Sequence, residues 1–376
     1  MKNKLHILFL CGWYPSKILP TNGDFIQRHA EAVALNNNVS VLHIISDKNL
    51  KVGYEIEQKE INGISVNIGY LKATKNPILK LFRFWKAYLL LLKKINPFDV
   101  VHLNETYPFG LFALHLKWVK KIPFIISEHW TGYHFLTKKN ISLGRQIISK
   151  IIINKACFVC PVSNDLGISM QKNGLKGNYK TIPNVVNTSI FKPTEEKKIN
   201  FNIIHTSSLL EKQKNISGML KVAKKLEEEI GHFTWKFIGG DSEPFKQLIH
   251  QLDFKKSSIE FYSHIDQPEL VKHLQHASIF VLFSNYENLP CVILESFACG
   301  IPVIATDVGG IKEYFPSEFG TLIPKGNETE LLNTLLALYH ANTPNPQKMQ
   351  AYAKQNFSKK AIENQFSNLY QKCITS

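Results

Sequence analysis

A chain of 376 residues is long enough for two domains with full cores, and 44% apolar with 20% charged residues is the composition of a globular protein, not a disordered or fibrous one. No stretch of about 18 apolar residues runs without a charge, so no transmembrane helix is expected. The net charge of +15 is unevenly placed: residues 1–190 carry 25 Lys/Arg and 10 Asp/Glu, residues 191–376 carry 20 of each, so the halves meet different partners.

The chain opens basic and then apolar, from Met1 to Cys11. The apolar stretch is only about six residues long and runs straight into Gly12-Trp-Tyr-Pro15, so it reads as a first β-strand over 5–10 and not as a signal peptide. Pro20-Thr-Asn-Gly23-Asp-Phe25 follows, then a helix over 24–34 with Asp24 as its cap. Gly23 lets a backbone approach a phosphate or sugar closely; the competing reading is an ordinary turn. The segment fails as G-x-G-x-x-G, which argues against a dinucleotide cofactor. Further strands are predicted over 39–45, 64–68, 100–103, 124–127 and 158–162. Residues 76–94 form a helix in which Lys80, Arg83 and Lys86 interrupt aromatic and aliphatic residues. Ser127-Glu128-His129-Trp-Thr-Gly132 lies at the end of a strand, where open α/β sheets place ligands. His129 is therefore a site candidate and His134 a weaker one. The six cysteines, at 11, 157, 160, 291, 299 and 373, are scattered. Cys157-Phe-Val-Cys160 has metal-like spacing but no second pair and reads as core, which fits a reduced cytoplasmic setting.

Pro183 to Pro193 is irregular and polar, and 194–198 is a charged connector. The domain boundary falls there, giving domains over 1–190 and 195–357. The second half starts anew with strands over 202–205, 233–238, 259–261, 279–283, 303–305 and 320–323. Short apolar runs alternating with helical patterns give an α/β class with parallel sheets.

The most informative segment is Glu287-Asn-Leu-Pro-Cys-Val-Ile-Leu-Glu295. It follows the apolar run 279–283 and ends at Gly300 and Pro302, so it reads strand, loop, helix. Pro290 suits the first helical position. The N–H groups of Cys291, Val292 and Ile293 would then face an anion, and phosphate is the natural occupant. Glu295 lies about 7–8 Å further along the axis, the reach from a diphosphate to the ribose of the same nucleotide. Glu287 would face the other side of the diphosphate, where a sugar is attached.

The string from Ser284 to Glu313 resembles the E-x7-E element of retaining glycosyltransferases of family 4 nearly throughout. The resemblance covers almost the whole chain, is strongest from about 180 to 315 and is weak from about 48 to 120. It implies the GT-B fold, two Rossmann-like domains facing across a cleft, with the last helix, 358–376, packing back on the first domain. In this family the 206–215 loop carries an arginine and a lysine that neutralise the donor diphosphate. Lys214 matches the lysine, but Ser208 stands where the arginine would be, and Lys212 is the nearest substitute. Val185 stands where glycine is usual in the interdomain segment. By resemblance Gly23 sits at the donor phosphates, Gly239 near the nucleotide base, and His129 near the reacting sugar. The expected catalytic residues are Glu287, His129 and Lys214. The expected donor-binding residues are Gly23, Lys212, Lys214, Gly239, Asn288, Cys291, Val292 and Glu295. No Asp-x-Asp occurs, so no metal and no cofactor are expected; the nucleoside-diphosphate sugar is a substrate.

The resemblance implies a metal-independent hexosyltransferase acting on a saccharide or lipid-linked acceptor in cell-surface polysaccharide or lipopolysaccharide synthesis. The alternative is a non-catalytic glycan- or nucleotide-binding relative, motivated by Ser208. Nucleic acid is not an expected partner, because the excess charge lies away from the nucleotide motifs and has no aromatic-basic recognition pattern. The basic helix over 76–94, with Lys138, Lys139, Arg145 and Lys150, predicts a cytoplasmic protein held on the anionic inner membrane face and released by salt. A core helix with a basic solvent face is the competing reading.

Overall fold

The structure is a computed structural model that describes residues 4–135, 142–196, 200–340 and 344–375. Lys138, Lys139 and part of the 194–198 connector lie outside the described residues. The chain divides into two compact units, residues 1–185 with 359–376, and residues 186–358.

The first unit begins with β1 (His6–Cys11), α1 (Asp24–Val33), β2 (Asn38–Asp47), β3 (Tyr54–Ile61), β4 (Ile64–Lys72) and α2 (Pro77–Leu92). It continues with β5 (Val100–Asn104), α3 (Gly110–Lys120), β6 (Phe124–Glu128), α4 (Leu143–Lys155), β7 (Phe158–Pro161) and α5 (Asn164–Lys172). The seven strands lie in the order β3-β4-β2-β1-β5-β6-β7. Every neighbouring pair is parallel except β3 with β4. The central strands are buried on both faces because helices cover both sides, as in a parallel sheet. β3 has no counterpart among the predicted strands. Its sequence, Tyr-Glu-Ile-Glu-Gln-Lys-Glu-Ile, is mostly polar, as an edge strand allows. The available signal was Asn62-Gly63, whose φ values of 50° and 76° make the hairpin turn.

The second unit runs β8 (Asn202–Thr206), α6 (Glu211–Lys214), α7 (Ile216–Ile230), β9 (Thr234–Ile238), α8 (Lys246–Leu252), β10 (Ser258–Tyr262) and α9 (Gln267–Gln275). Then come β11 (Ile279–Leu282), α10 (Cys291–Ala298), β12 (Val303–Thr306), β13 (Gly320–Ile323), α11 (Glu328–His340) and α12 (Pro346–Phe357). Its six strands are all parallel, in the order β10-β9-β8-β11-β12-β13. Trp235, Phe237, Phe280 and Phe283 are among its largest fully buried side chains.

The last helix, α13 (Lys359–Thr375), belongs to the first unit. It buries Ile362, Phe366 and Tyr370, and Lys359 pairs with Glu31 of α1 at 2.7 Å. The Tyr370 hydroxyl meets His102 Nδ1 at 2.6 Å inside the sheet layer. Cys373 forms a disulfide with Cys157, the two Cα atoms 5.7 Å apart. Cys157 does pack against the core, as expected, but as half of a disulfide that was not foreseen. The spacing argument compared only cysteines close in sequence, and the true partner is 216 residues away. Disulfides are rare in reducing compartments, so the scattered cysteines no longer support a reduced setting. Among the described residues, no helix is long and apolar enough to cross a membrane.

Candidate functional site

In the second unit the sheet order reverses between β8 and β11, and open α/β sheets bind ligands at that point. The two loops leaving these strands carry the candidate residues. After β11 the chain turns into α10, whose cap is Pro290 and whose first helical residue is Cys291. Pro290 was expected one position further in. Its ψ of 125° is extended, which leaves it outside the helix. The Ile293 N–H donates to the Pro290 carbonyl at 3.3 Å, so it is not one of the amides facing an anion. A helix start still concentrates N–H groups and the positive end of the dipole, and Cys291 and Val292 stand there half-buried. Glu295 is one turn further on and only 1% exposed.

After β8 the chain makes the short helix α6, which packs against the β11–α10 loop. The Asn285 N–H donates to the Gln213 carbonyl at 2.7 Å, and the Asn285 side-chain amide donates to the Lys212 carbonyl at 3.2 Å. This docking brings Lys214 Nζ onto the Glu287 carboxylate as an ion pair. Lys214 is 8% exposed and Glu287 6%. Two full charges held this far from water are costly unless each has its partner. Asn288 is buried beside them, and its carbonyl accepts the Gly310 N–H at 2.9 Å. Lys212 and Ser208 are exposed, so the two lysines of α6 differ: one is locked in the pair and the other faces solvent. Gly239, at the end of β9, has φ +111°, and a Cβ there would lie 2.5 Å from the Ser207 carbonyl. It lets the β8–α6 loop close over the strand end.

In the first unit the order reverses between β1 and β5. Gly23, with φ +74°, caps α1, and a Cβ there would lie 2.7 Å from the Trp13 backbone. The loop after β1 is what demands this glycine. Asp24 is the first helical residue and not the cap; it pairs with Arg28 at 2.7 Å. His129 lies against Phe25, ring centroids 4.5 Å apart, and against His29, 5.3 Å apart. Burial holds its imidazole well below the ordinary histidine range, with His29 and His102 adding to the effect. The ring is neutral at physiological pH. His134 meets Ser169 at 2.9 Å and Asp165 at 3.6 Å, a contact with α5.

Two carboxyls here were not singled out in the sequence. Glu128 is fully buried and accepts from Thr106 N and Oγ1 at 3.0 and 2.7 Å, from His129 N at 3.0 Å, from Trp130 N at 3.1 Å and from Tyr133 OH at 3.3 Å. It fixes the loop that carries His129. Glu105 follows β5 directly and has φ +80°, a strained value for a residue with a side chain. Its carboxyl lies against Gly12, leaving no room for a Cβ there. Burial, and then the Glu128 charge, push it up to about 8, while Arg145 opposes them. Arg145 itself sits over the rings of Trp130 and Tyr107 at 4.9 and 5.2 Å. The signal for Glu105 was legible: Asn104-Glu105-Thr106 is a polar run directly after an apolar parallel strand.

The donor candidates Lys214, Glu287, Asn288, Cys291 and Val292 thus come together in the second unit, with Glu295 on the same helix. Gly239 serves the neighbouring strand end, and Gly23 and His129 belong to the first unit. Among the described residues no group of three His, Cys, Asp or Glu side chains is arranged to hold a metal ion.

Comparison with known proteins bears on both units. Residues 188–356 match the glycosyl transferases group 1 family, and residues 32–190 match glycosyltransferase family 4. An uncharacterised glycosyltransferase of Methanocaldococcus jannaschii is 28% identical, over 79% of this chain and 81% of its own length. The N-acetylgalactosamine-N,N'-diacetylbacillosaminyl-diphospho-undecaprenol 4-alpha-N-acetylgalactosaminyltransferase of Campylobacter jejuni is 24% identical, over 76% of this chain and 79% of its own length. The solved structure of Anabaena HepE with UDP superposes with a TM-score of 0.73, covering 98% of this chain and 100% of its own, at 18% identity; the same protein is also known with UDP-glucose. That likeness gives the fold, GT-B, to which the two parallel-sheet units conform. Since one family match accounts for the unit carrying the Lys214–Glu287 pair and the other for most of the unit before it, the chain belongs to the group 1, family 4 glycosyltransferases.

Proposed function

We propose that the protein transfers a hexosyl group from a nucleoside-diphosphate sugar to a saccharide or lipid-linked acceptor, with retention at the anomeric carbon and without a metal. The observation that carries this reading is the buried Lys214–Glu287 pair beside the start of α10. Lys214 and the helix amides would receive the diphosphate, and Glu295 would accept hydrogen bonds from the ribose hydroxyls. The reaction breaks the bond from the anomeric carbon to the diphosphate oxygen and forms one to the acceptor oxygen on the same face. The acceptor proton passes to the departing phosphate. Fixed charge aimed at that phosphate lowers the barrier. HepE, which shares the fold, is known with UDP and UDP-glucose, and the Campylobacter relative is named for a diphospho-undecaprenol substrate. They support the donor and acceptor classes respectively, and a role in cell-surface polysaccharide or lipopolysaccharide synthesis is part of the proposal.

Incubation with a panel of UDP-, GDP- and ADP-sugars, followed by detection of the free nucleotide, tests the reading. Turnover should survive a chelator. Glu295→Ala should weaken donor binding about tenfold or more, the loss of charge-assisted hydrogen bonds; turnover equal to wild type at low donor concentration would remove the ribose assignment. The exposed Ser208, standing where the family's arginine would be, favours a second reading, a non-catalytic nucleotide-binding relative. Nucleotide binding with no sugar released from any donor would decide for it.

A further inference from the structure

The basic excess of the first unit has a surface to match. Between Lys75 and Lys155 the sequence holds fourteen Lys/Arg and three Asp/Glu. Of the three acids, Glu128 is buried and Glu105 is turned toward Gly12, which leaves Asp99 as the exposed one. The helices of this stretch, α2, α3 and α4, lie side by side. Trp85 of α2 meets Phe112 and His115 of α3 at 5.3 Å, and Ile152 of α4 lies against Gly110 of α3.

This layer exposes large apolar side chains among its cations. The first half of α2 stands free of the core: Ile78 is 78% exposed and Phe82 63%, with Leu79 and Leu81 beside them. Its second half is anchored by buried Ala87, Tyr88 and Leu91. A groove of about 240 Å³ runs along it, lined by Phe82, Trp85, Lys86, Leu89, Leu90 and Lys93. The end of α3 exposes Trp118 and Val119 next to Lys120 and Lys121. On α4, Leu143, Ile147 and Ile151 form an exposed stripe at helical spacing. Isolated exposed apolar residues are ordinary, but a patch spread over three neighbouring helices is not. The pattern of apolar tips within a basic field fits an anionic bilayer, into which apolar side chains dip while lysines meet the headgroups. Nucleic acid would use the cations and leave Ile78, Leu81 and Phe82 in water.

We infer that the α2–α4 face is a membrane-binding surface, inserting the first half of α2 into an anionic leaflet. This deepens the proposed reading, on which it rests for its purpose: it would hold the enzyme where a lipid-linked acceptor is found. It also revises the purely electrostatic attachment expected from the sequence, because inserted apolar residues resist salt.

The full chain is sedimented with vesicles of phosphatidylcholine alone or of phosphatidylcholine with phosphatidylglycerol. It should pellet with the anionic vesicles, and a part should stay bound at about 1 M salt, where the Debye length is only about 3 Å. The double variant Ile78→Ser/Phe82→Ser should bind roughly tenfold more weakly or worse and lose the salt-resistant part. The triple variant Lys80→Glu/Lys86→Glu/Lys93→Glu should lose at least about fivefold per charge. All these positions are exposed, so unchanged thermal unfolding separates weakened binding from misfolding. Equal, negligible pelleting with both compositions overturns the inference. So does wild-type binding by both variants, binding abolished outright by salt, retention by duplex DNA in place of vesicles, or a lipid-free dimer that the apolar double variant dissociates. Nucleotide release in vesicle-free buffer is scored separately, so an inactive protein that binds vesicles and an active one that does not are told apart.

Discussion

In both units the candidate residues stand around the point where the sheet order reverses, β1–β5 in the first, with β6 beside it, and β8–β11 in the second, but what they hold there differs. The second unit places a lysine and a glutamate as a buried, oppositely charged pair beside a helix start. The first places His129, whose burial keeps it neutral, and Glu105, whose carboxyl burial pushes up to about 8. The unit with the large positive charge therefore has a neutral histidine and a neutral Glu105 carboxyl beside the Glu128 charge, and the unit with balanced charge has the ion pair. Net charge describes a surface, and a site's charge is set by burial and partners. Fixed ions suit a diphosphate, and neutral donors and acceptors suit hydroxyl groups.

The largest expected effect separates the units by acid. Among the described residues, His29, His43 and His102 are fully buried in the first unit and His205 alone in the second. Burial lowers His29 and His43 to about 4, lowers His102 well below its usual range, and lowers His205 to about 3. Below about pH 6.5 the unfolded chain takes up these protons while the folded one does not, so stability falls with falling pH. Each group contributes about 1.4 kcal/mol per pH unit down to its folded value. By pH 5 the first unit, which also holds the lowered His129, should lose several times as much stability as the second. Hydrogen exchange resolved by peptide at pH 7 and 5 should show β1, β2 and β5 opening before β8 and β11. Simultaneous opening would mean that the units do not unfold separately.

The next effect tests the ionic site. Lys214→Ala removes the cation from the departing phosphate, which should lower turnover about 10²–10³-fold. It also strands Glu287 in the interior, at about 3–5 kcal/mol of stability. Adding Glu287→Gln should restore much of the stability without restoring transfer, as read by thermal unfolding and nucleotide release. A double variant with full turnover would show the pair to be structural only.

How much of this was legible follows from what each signal depends on. The central strands and α10 were readable because apolar runs and Gly/Pro punctuation are local. Lys214 and Glu287 were both found, but not their pairing, because docking of α6 on the β11–α10 loop is tertiary. β3 was hidden by polar residues on an edge. The Cys157 disulfide and the raised carboxyl of Glu105 were not readable for one reason: each state is set by groups distant in sequence, Cys373 for the first and Gly12 with Glu128 for the second, although the polar run that holds Glu105 is local. The helix over 76–94 was read as a basic, membrane-facing element or else as a core helix with a basic solvent face, and the exposure of its apolar half was not read, since periodicity does not say whether a face is covered.

The smallest effect concerns Glu105 and runs opposite to the histidines. A carboxyl raised from its usual range to about 8 stays protonated in the folded protein while the unfolded chain ionises. Between about pH 4.5 and 8 the folded state binds the extra proton, so this group makes stability fall as pH rises. The histidines mask the trend below about pH 6.5, where they titrate; the window from pH 6.5 to 8 belongs to Glu105. The fully buried limit is about 1.4 kcal/mol per pH unit, and for this half-buried group solvent screening leaves about 1 kcal/mol over the whole window. That is about 2–4 °C for a unit of this size. Glu105→Gln keeps the shape and a donor but has no proton to lose. Its melting temperature should hold steady from pH 6.5 to 8 while that of the wild type declines. The variant should also remove any alkaline limb near pH 8 from the pH–rate profile if the protonated carboxyl donates to an acceptor hydroxyl. Parallel melting curves for the two proteins would mean that Glu105 is ionised in the fold and that its position against Gly12 has another cause.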